Sequence, residues 1–167
     1  HPRWIPERIH PVGEMPASSN YGSALAGHLV ERVSGLDFYT YIDRHILEPL
    51  GMRSSTFRQP LPKALEPQMS KGYQLGSDEP QPFELIPIAP AGSLSATGSD
   101  MARFMIAHLN RGAYGDARIL SEETARLMHG TPLTVVPNLN RMLLGFYETD
   151  INGLDVIAHG GDTQYFH

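Results

Sequence analysis

MPASSNYGSALAGHLVERVSG, residues 15–35, sets Ser18, Ser19 and Asn20 directly ahead of a helix-like run. Ser and Asn side-chain oxygens accept hydrogen bonds from the first free N–H groups of a helix, so any of the three can serve as its N-cap. Leu25, Leu29, Val30 and Val33 then recur at helical spacing from Tyr21 to Val33, and Gly35 stands where a left-handed C-terminal cap belongs. Gly22, Ala26 and Gly27 make one side of the predicted helix small, so that another backbone can approach closely there.

Ahead of this stretch, Pro2, Pro6, Pro11 and Pro16 exclude a regular helix and predict an extended lead-in. Behind it, Phe38, Tyr41, Ile42 and Ile46 form the apolar stripe of a second helix over 37–47, ended by Pro49 and Gly51. Residues 58–92 are rich in proline and poor in periodicity, which predicts a long irregular excursion of the functional-loop type. SATGSDMARFMIAHLNRG, residues 95–112, predicts a third helix with Thr97 or Ser99 as cap, Asp100 at the positive end of its dipole and Gly112 as its stop. A short fourth helix is expected over 121–128.

The period then changes. MLLGFYET (142–149) and LDVIAHGG (154–161) flank Asn152-Gly153, a strong hairpin signal, and predict two antiparallel strands. Helices first and strands last, without alternation, indicate an α+β fold in a single domain over 1–167, mainly helical and loop to residue 140 and sheet edge over 141–167.

Composition narrows the chemistry. The chain has 167 residues, no cysteine and a formal charge of −5 with its charges mixed. Thiolate chemistry and disulfides are excluded, and no basic stripe offers itself to nucleic acid. No apolar run is long enough to cross a bilayer, and no signal peptide is visible. Eight histidines are scattered from His1 to His167 without H-E-x-x-H spacing, so no metal site is expected. Phosphate loops and the G-x-S-x-G elbow are absent. No initiator Met is present and the chain stops inside the β-like TQYFH, so it is expected to be a piece of a longer protein.

Two short polar motifs remain: S-x-N at Ser18 and Asn20, and H-x-G at His159 and Gly161. PVGEMPASSNYGSALAGHLVERVSGLDFYTYIDRHILEPLGMRSSTF (11–57), PAGSLSATGSDMARFMIAHLNRG (90–112) and HGGDTQYFH (159–167) together resemble, in order, landmarks of the serine β-lactamase and penicillin-binding-protein superfamily. The resemblance is to its class C-like branch of β-lactamases, D-aminopeptidases, DD-peptidases and esterases, and implies a β-lactamase/transpeptidase-like fold. It also implies an exported parent, periplasmic, membrane-anchored or secreted, acting on a small-molecule or peptide substrate without a cofactor.

By the same resemblance Ser18, Asn20 and His159 hold catalytic positions, and Gly160, Gly161 and Asp162 line the substrate. Asn20 matches the amide that positions substrate, and His159 the cleft-wall residue of the third motif. Ser18 stands where the branch usually has tyrosine; it either relays a proton as a serine does in class A enzymes or marks a disabled site. The family nucleophile, the serine of S-x-x-K, is absent: the only lysines are Lys63 and Lys71, and no serine lies three residues before either. It is expected upstream of His1, leaving residues 1–167 inactive alone. The competing expectations are a non-catalytic ligand- or peptide-binding member and a folding unit that self-associates through the unpaired strand edges of 142–167.

Overall fold

Ser19 starts the first helix. Its backbone is extended (φ −143°, ψ 118°), its Oγ accepts from Gly22 N, and α1 runs from Asn20–Ser34 to a left-handed Gly35 cap at φ 72°. The computed structural model in which this is seen describes residues 5–74, 79–130 and 141–166. Expectations falling on Pro2, the terminal histidines His1 and His167, and residues 75–78 and 131–140 lie outside the described residues.

Of the three small residues only Gly27 packs, buried against Pro90 of α3 (Ala89–Gly92); Gly22 and Ala26 are exposed, as are Leu25, Leu29 and Val33, the last at 88%. Glu31 Oε1 accepts from Phe38 N at 2.8 Å and ties α1 to the next helix. That helix departs from the uniform element expected over 37–47. It is α-helical only as α2 (Phe38–Ile42), capped by Asp37, and widens to π geometry over Asp43–Leu47, with Glu48 N donating to Asp43 O at 2.9 Å. Leu47 at the end of this turn and Leu50 just beyond it are buried, and with Met52 and Ala107 they make the core that Ile42, Ile46, Met101, Phe104, Tyr114 and Ile119 enclose.

Among its described residues the excursion is largely irregular, as expected, holding one 3₁₀ turn (Glu66–Gln68) and a two-residue strand pair, β1 (Gly72–Tyr73) with β2 (Pro80–Gln81), before it closes on the short α3. Gln59 spans it, accepting from Ile86 N at 2.6 Å and donating to Ser93 O at 3.3 Å. Thr56 and Ser95 exchange backbone hydrogen bonds of 2.9 Å, joining the core loop to the entry of α4 (Gly98–Leu109). Thr97 rather than Ser99 is the cap of α4, and the helix ends at Asn110, two residues before Gly112, with Arg111 at φ 54°.

Asp100 does more than complement the helix dipole. Buried to 4% exposure, it accepts from Ser54 N (2.8 Å) and Ser55 Oγ (2.9 Å) and pairs with Arg103, clamping the core loop onto α4. The tight pair β3 (Ala113–Tyr114) and β4 (Ala117–Arg118) leads to α5 (Glu122–Gly130).

The final hairpin pairs β5 (Tyr147–Ile151) with β6 (Leu154–Ala158) around Asn152 (φ 55°) and Gly153 (φ 77°), the left-handed pair a tight turn requires. MLLGFYET is therefore not one strand. Gly145 at φ 82° turns the chain, Leu143 N donates to Phe146 O, and regular pairing begins only at Tyr147. The helices and small antiparallel sheets make the expected α+β architecture.

Candidate active site

The first cluster is built by the cap. Ser19 Oγ takes the capping bond from Gly22 N at 3.1 Å, which leaves Ser18 and Asn20 to flank it, both exposed at the mouth of a helix whose first turn carries no acidic residue. The uncompensated N–H groups give this end partial positive character.

The second cluster follows β6. Tyr147 is registered opposite Ala158, so the next residue, His159, emerges exposed at the end of the strand pair. Its Nδ1 lies 2.6 Å from Gly160 O. A carbonyl oxygen only accepts, so Nδ1 carries the proton and Nε2 presents a lone pair when the ring is neutral. The Tyr147 ring lies 6.3 Å away, centroid to centroid, and the Tyr147 hydroxyl lies 3.5 Å from where a β-carbon of Gly160 would sit. Gly161 has nothing within 4 Å of its β-carbon position and is not in the left-handed region. Among the described residues neither packing nor backbone strain requires glycine at 161, and the space beside it is open. Asp162 is exposed beyond it.

The segment after H-x-G folds back onto the excursion. Tyr73 N donates to Tyr165 O at 3.2 Å and Gln164 N to Glu84 Oε2 at 2.9 Å. Thr163, Phe166, Met69, Phe83, Ile86 and Thr97 line a cleft of about 260 Å³ shared by the two segments and the entry of α4. His159, Gly160, Gly161 and Asp162 thus form one exposed run whose continuation, at Gln164 and Tyr165, is tied to Glu84 and Tyr73. Ser18 and Asn20 stand together at the other cluster, and among the described residues no hydrogen bond links either to His159.

One polar pair escaped the sequence reading. His108 Nδ1 and His129 Nε2 lie 3.0 Å apart between α4 and α5, against Phe104 and Phe146. Burial, and then the neighbouring His129, hold the pKa of His108 below the usual histidine range; burial alone does the same for His129. The available signal was spacing: His108 lies four residues after Phe104 and seven after Met101, on the apolar stripe of α4. Among the described residues no group of three or more His, Asp or Glu side chains is placed to hold a metal ion, and no helix is long and apolar enough to cross a membrane.

Comparison with known proteins adds a lineage to this geometry. The model of the Beta-lactamase family matches residues 6–167. The octameric penicillin-binding protein homologue of Pyrococcus abyssi superposes with a TM-score of 0.73 at 28% identity, over 90% of this chain and 34% of that one. The Beta-Lactamase/D-Alanine Carboxypeptidase of Pseudomonas syringae superposes at 0.68 with 20% identity, over 87% and 38%. "Probable hydrolase M10" of Phoma sp. is 41% identical over 44 residues, 26% of this chain and 7% of that protein. The chain spans little more than a third of the length of either structural relative.

Proposed function

The chain belongs to the beta-lactamase family, and on that premise we propose that the protein carrying it is a serine hydrolase that transfers an acyl group from an amide, ester or β-lactam to a serine and then to water. The observation that carries this reading is the His159–Gly161 run: an exposed imidazole whose Nδ1 is held by Gly160 O, beside a glycine with open space along it. A carbonyl substrate lying along that edge meets a polar side chain at a fixed tautomer and a backbone it can approach closely.

In the complete cycle a serine hydroxyl outside residues 1–167 attacks the carbonyl, giving its proton to the lysine of an S-x-x-K motif. The C–O bond to serine forms as the tetrahedral intermediate develops. The leaving group takes the proton back as its bond to carbon breaks, and water reverses the sequence to free the acid. Ser18 relays the proton, Asn20 orients the substrate amide or ester, and His159 with Gly160, Gly161 and Asp162 forms the opposite wall. Residues 1–167 lack the nucleophile of this scheme and do not complete it alone.

The test is covalent labelling of the full-length protein by a fluorescent penicillin, together with hydrolysis of a p-nitrophenyl ester. Either activity, abolished when the S-x-x-K serine is replaced by alanine, is the expected result. A second reading, a non-catalytic member that binds a peptide in the same cleft, is favoured by Ser18 at the family's tyrosine position. An open reading frame without S-x-x-K and a protein with neither activity would establish it instead.

A further inference from the structure

The histidine pair between α4 and α5 belongs to no step of that cycle. His108 and His129 face one another with nitrogens 3.0 Å apart and ring centroids 5.2 Å apart, so the two nitrogens lie close to the line joining the rings. Lone pairs aimed along that line share one proton. They do not converge on a third point, as the two ligands of a metal ion must. The bond is enclosed by Phe104, 4.5 Å from the His108 ring, and by Phe146, 5.3 Å from His108 and 5.7 Å from His129.

We propose that His108 and His129 form an acid-sensitive clasp that joins α4, α5 and the hairpin carrying His159, and that the clasp opens when both imidazoles take up a proton. Each partner comes from a different element. His108 is on α4, His129 is in the last turn of α5, and Phe146 directly precedes Tyr147, the residue registered against Ala158 next to His159. Leu144 N donates to Met128 O at 3.4 Å, so the hairpin approach is tied to the last turn of α5 at the same place.

A neutral pair needs one N–H and one lone pair and satisfies the two facing nitrogens. A second added proton sets two cations nose to nose at 3.0 Å in an apolar nest. The charged groups facing the cleft beside the pair give little relief. Among its described lining residues Arg111 and Arg126 are cationic, both held by Glu122, and Asp155 of β6 is the one anion.

The sign follows from linkage. Both folded-state pKa values are depressed relative to the unfolded chain, so the unfolded state binds more protons through the acid range. The clasp's stabilisation is complete above the ordinary histidine pKa of about 6.5 and is lost as pH falls toward the folded-state values. At neutral pH the clasp holds the hairpin approach against the helices, and in an acidified compartment it releases Phe146 and slackens the strand end presenting His159.

The experiment is hydrogen exchange, as protection factors, on the full-length protein at pH 7.5 and pH 5, with wild type and His129→Gln, whose amide still bonds to His108 but carries no charge. Wild type is expected to lose protection over α5 and residues 143–149 by about tenfold or more on acidification, and His129→Gln by clearly less. Equal losses in the two proteins overturn the proposal. A proton NMR titration of wild type decides it independently if the variant fails to fold. Two separated steps below the ordinary histidine range support the clasp, and two independent titrations at the ordinary value overturn it.

Discussion

Gly27 of α1 and Pro90 of α3 touch so closely that a β-carbon on the glycine would lie 2.5 Å from Pro90 Cγ and 2.9 Å from Pro90 Cβ. This contact fixes the helix that opens with Ser18–Asn20 against the end of the excursion. Alanine at an ordinary helix interior site is better than glycine by about 1 kcal/mol. Here the clash is with a rigid ring, and overpacking costs about 1–3 kcal/mol. Gly27→Ala is therefore expected to lower the urea midpoint of the protein despite its better helix propensity, whereas a rise in the midpoint would mean α1 and α3 stand farther apart.

A second close approach joins the H-x-G segment to the excursion. A β-carbon at Gly72 would lie 2.7 Å from Tyr165 Cβ and 2.9 Å from Phe166 Cε2. Gly72→Ala must push residues 165–166 away, breaking the 3.2 Å bond from Tyr73 N to Tyr165 O. Faster amide exchange at Tyr73 and Gln164 is the expected readout; exchange unchanged at both would show that the two segments are not docked.

Asp100 is the anchor of the core loop. Its replacement by alanine leaves Ser54 N and the buried Ser55 hydroxyl without their acceptor, at a cost of roughly 2–4 kcal/mol. Asp100→Asn keeps one amide oxygen as acceptor and is expected to lose about half as much in chemical denaturation. Equal losses from the two substitutions would assign the effect to the Arg103 ion pair instead.

At the hairpin turn, Asn152 holds φ 55° without being glycine. Left-handed backbone costs most side chains about 1–2 kcal/mol, a penalty Asn reduces through local hydrogen bonding. Asn152→Ala is expected to destabilise the β5–β6 pair by about 1 kcal/mol, and Asn152→Gly to be neutral or better. Both effects are read by exchange at Thr149 and Val156, and a neutral alanine variant would contradict the turn geometry.

Much of this was legible because its causes are local. Asn152-Gly153 declares its turn through backbone conformation that few other residues adopt, and Ser19, Thr97 and Gly35 declare helix ends through hydrogen bonds made within three or four residues. The close approach at Gly27 was readable too, although neither its partner nor the exposure of Gly22 and Ala26 was. The π segment after Ile42 was not: it is defined by the bond from Glu48 N to Asp43 O, five residues apart, and nothing in the local sequence distinguishes that from the ordinary four. Gly145 was read through as strand because the apolar run on either side hides it. The Asp100 clamp and the His108–His129 pair depend on residues 45 and 21 positions away, and no local pattern signals such pairings.

The central claim is that Asn20 and His159, at opposite ends of the chain, act on one bound substrate. A double-mutant cycle on the full-length protein measures this most directly, comparing kcat/KM for the proposed ester hydrolysis in wild type, Asn20→Ala, His159→Ala and the double variant. Residues sharing a site couple by about 0.5–3 kcal/mol, whereas separated ones add to within about 0.5 kcal/mol. The account predicts a coupling of about 1 kcal/mol or more; full additivity of the two losses would contradict it.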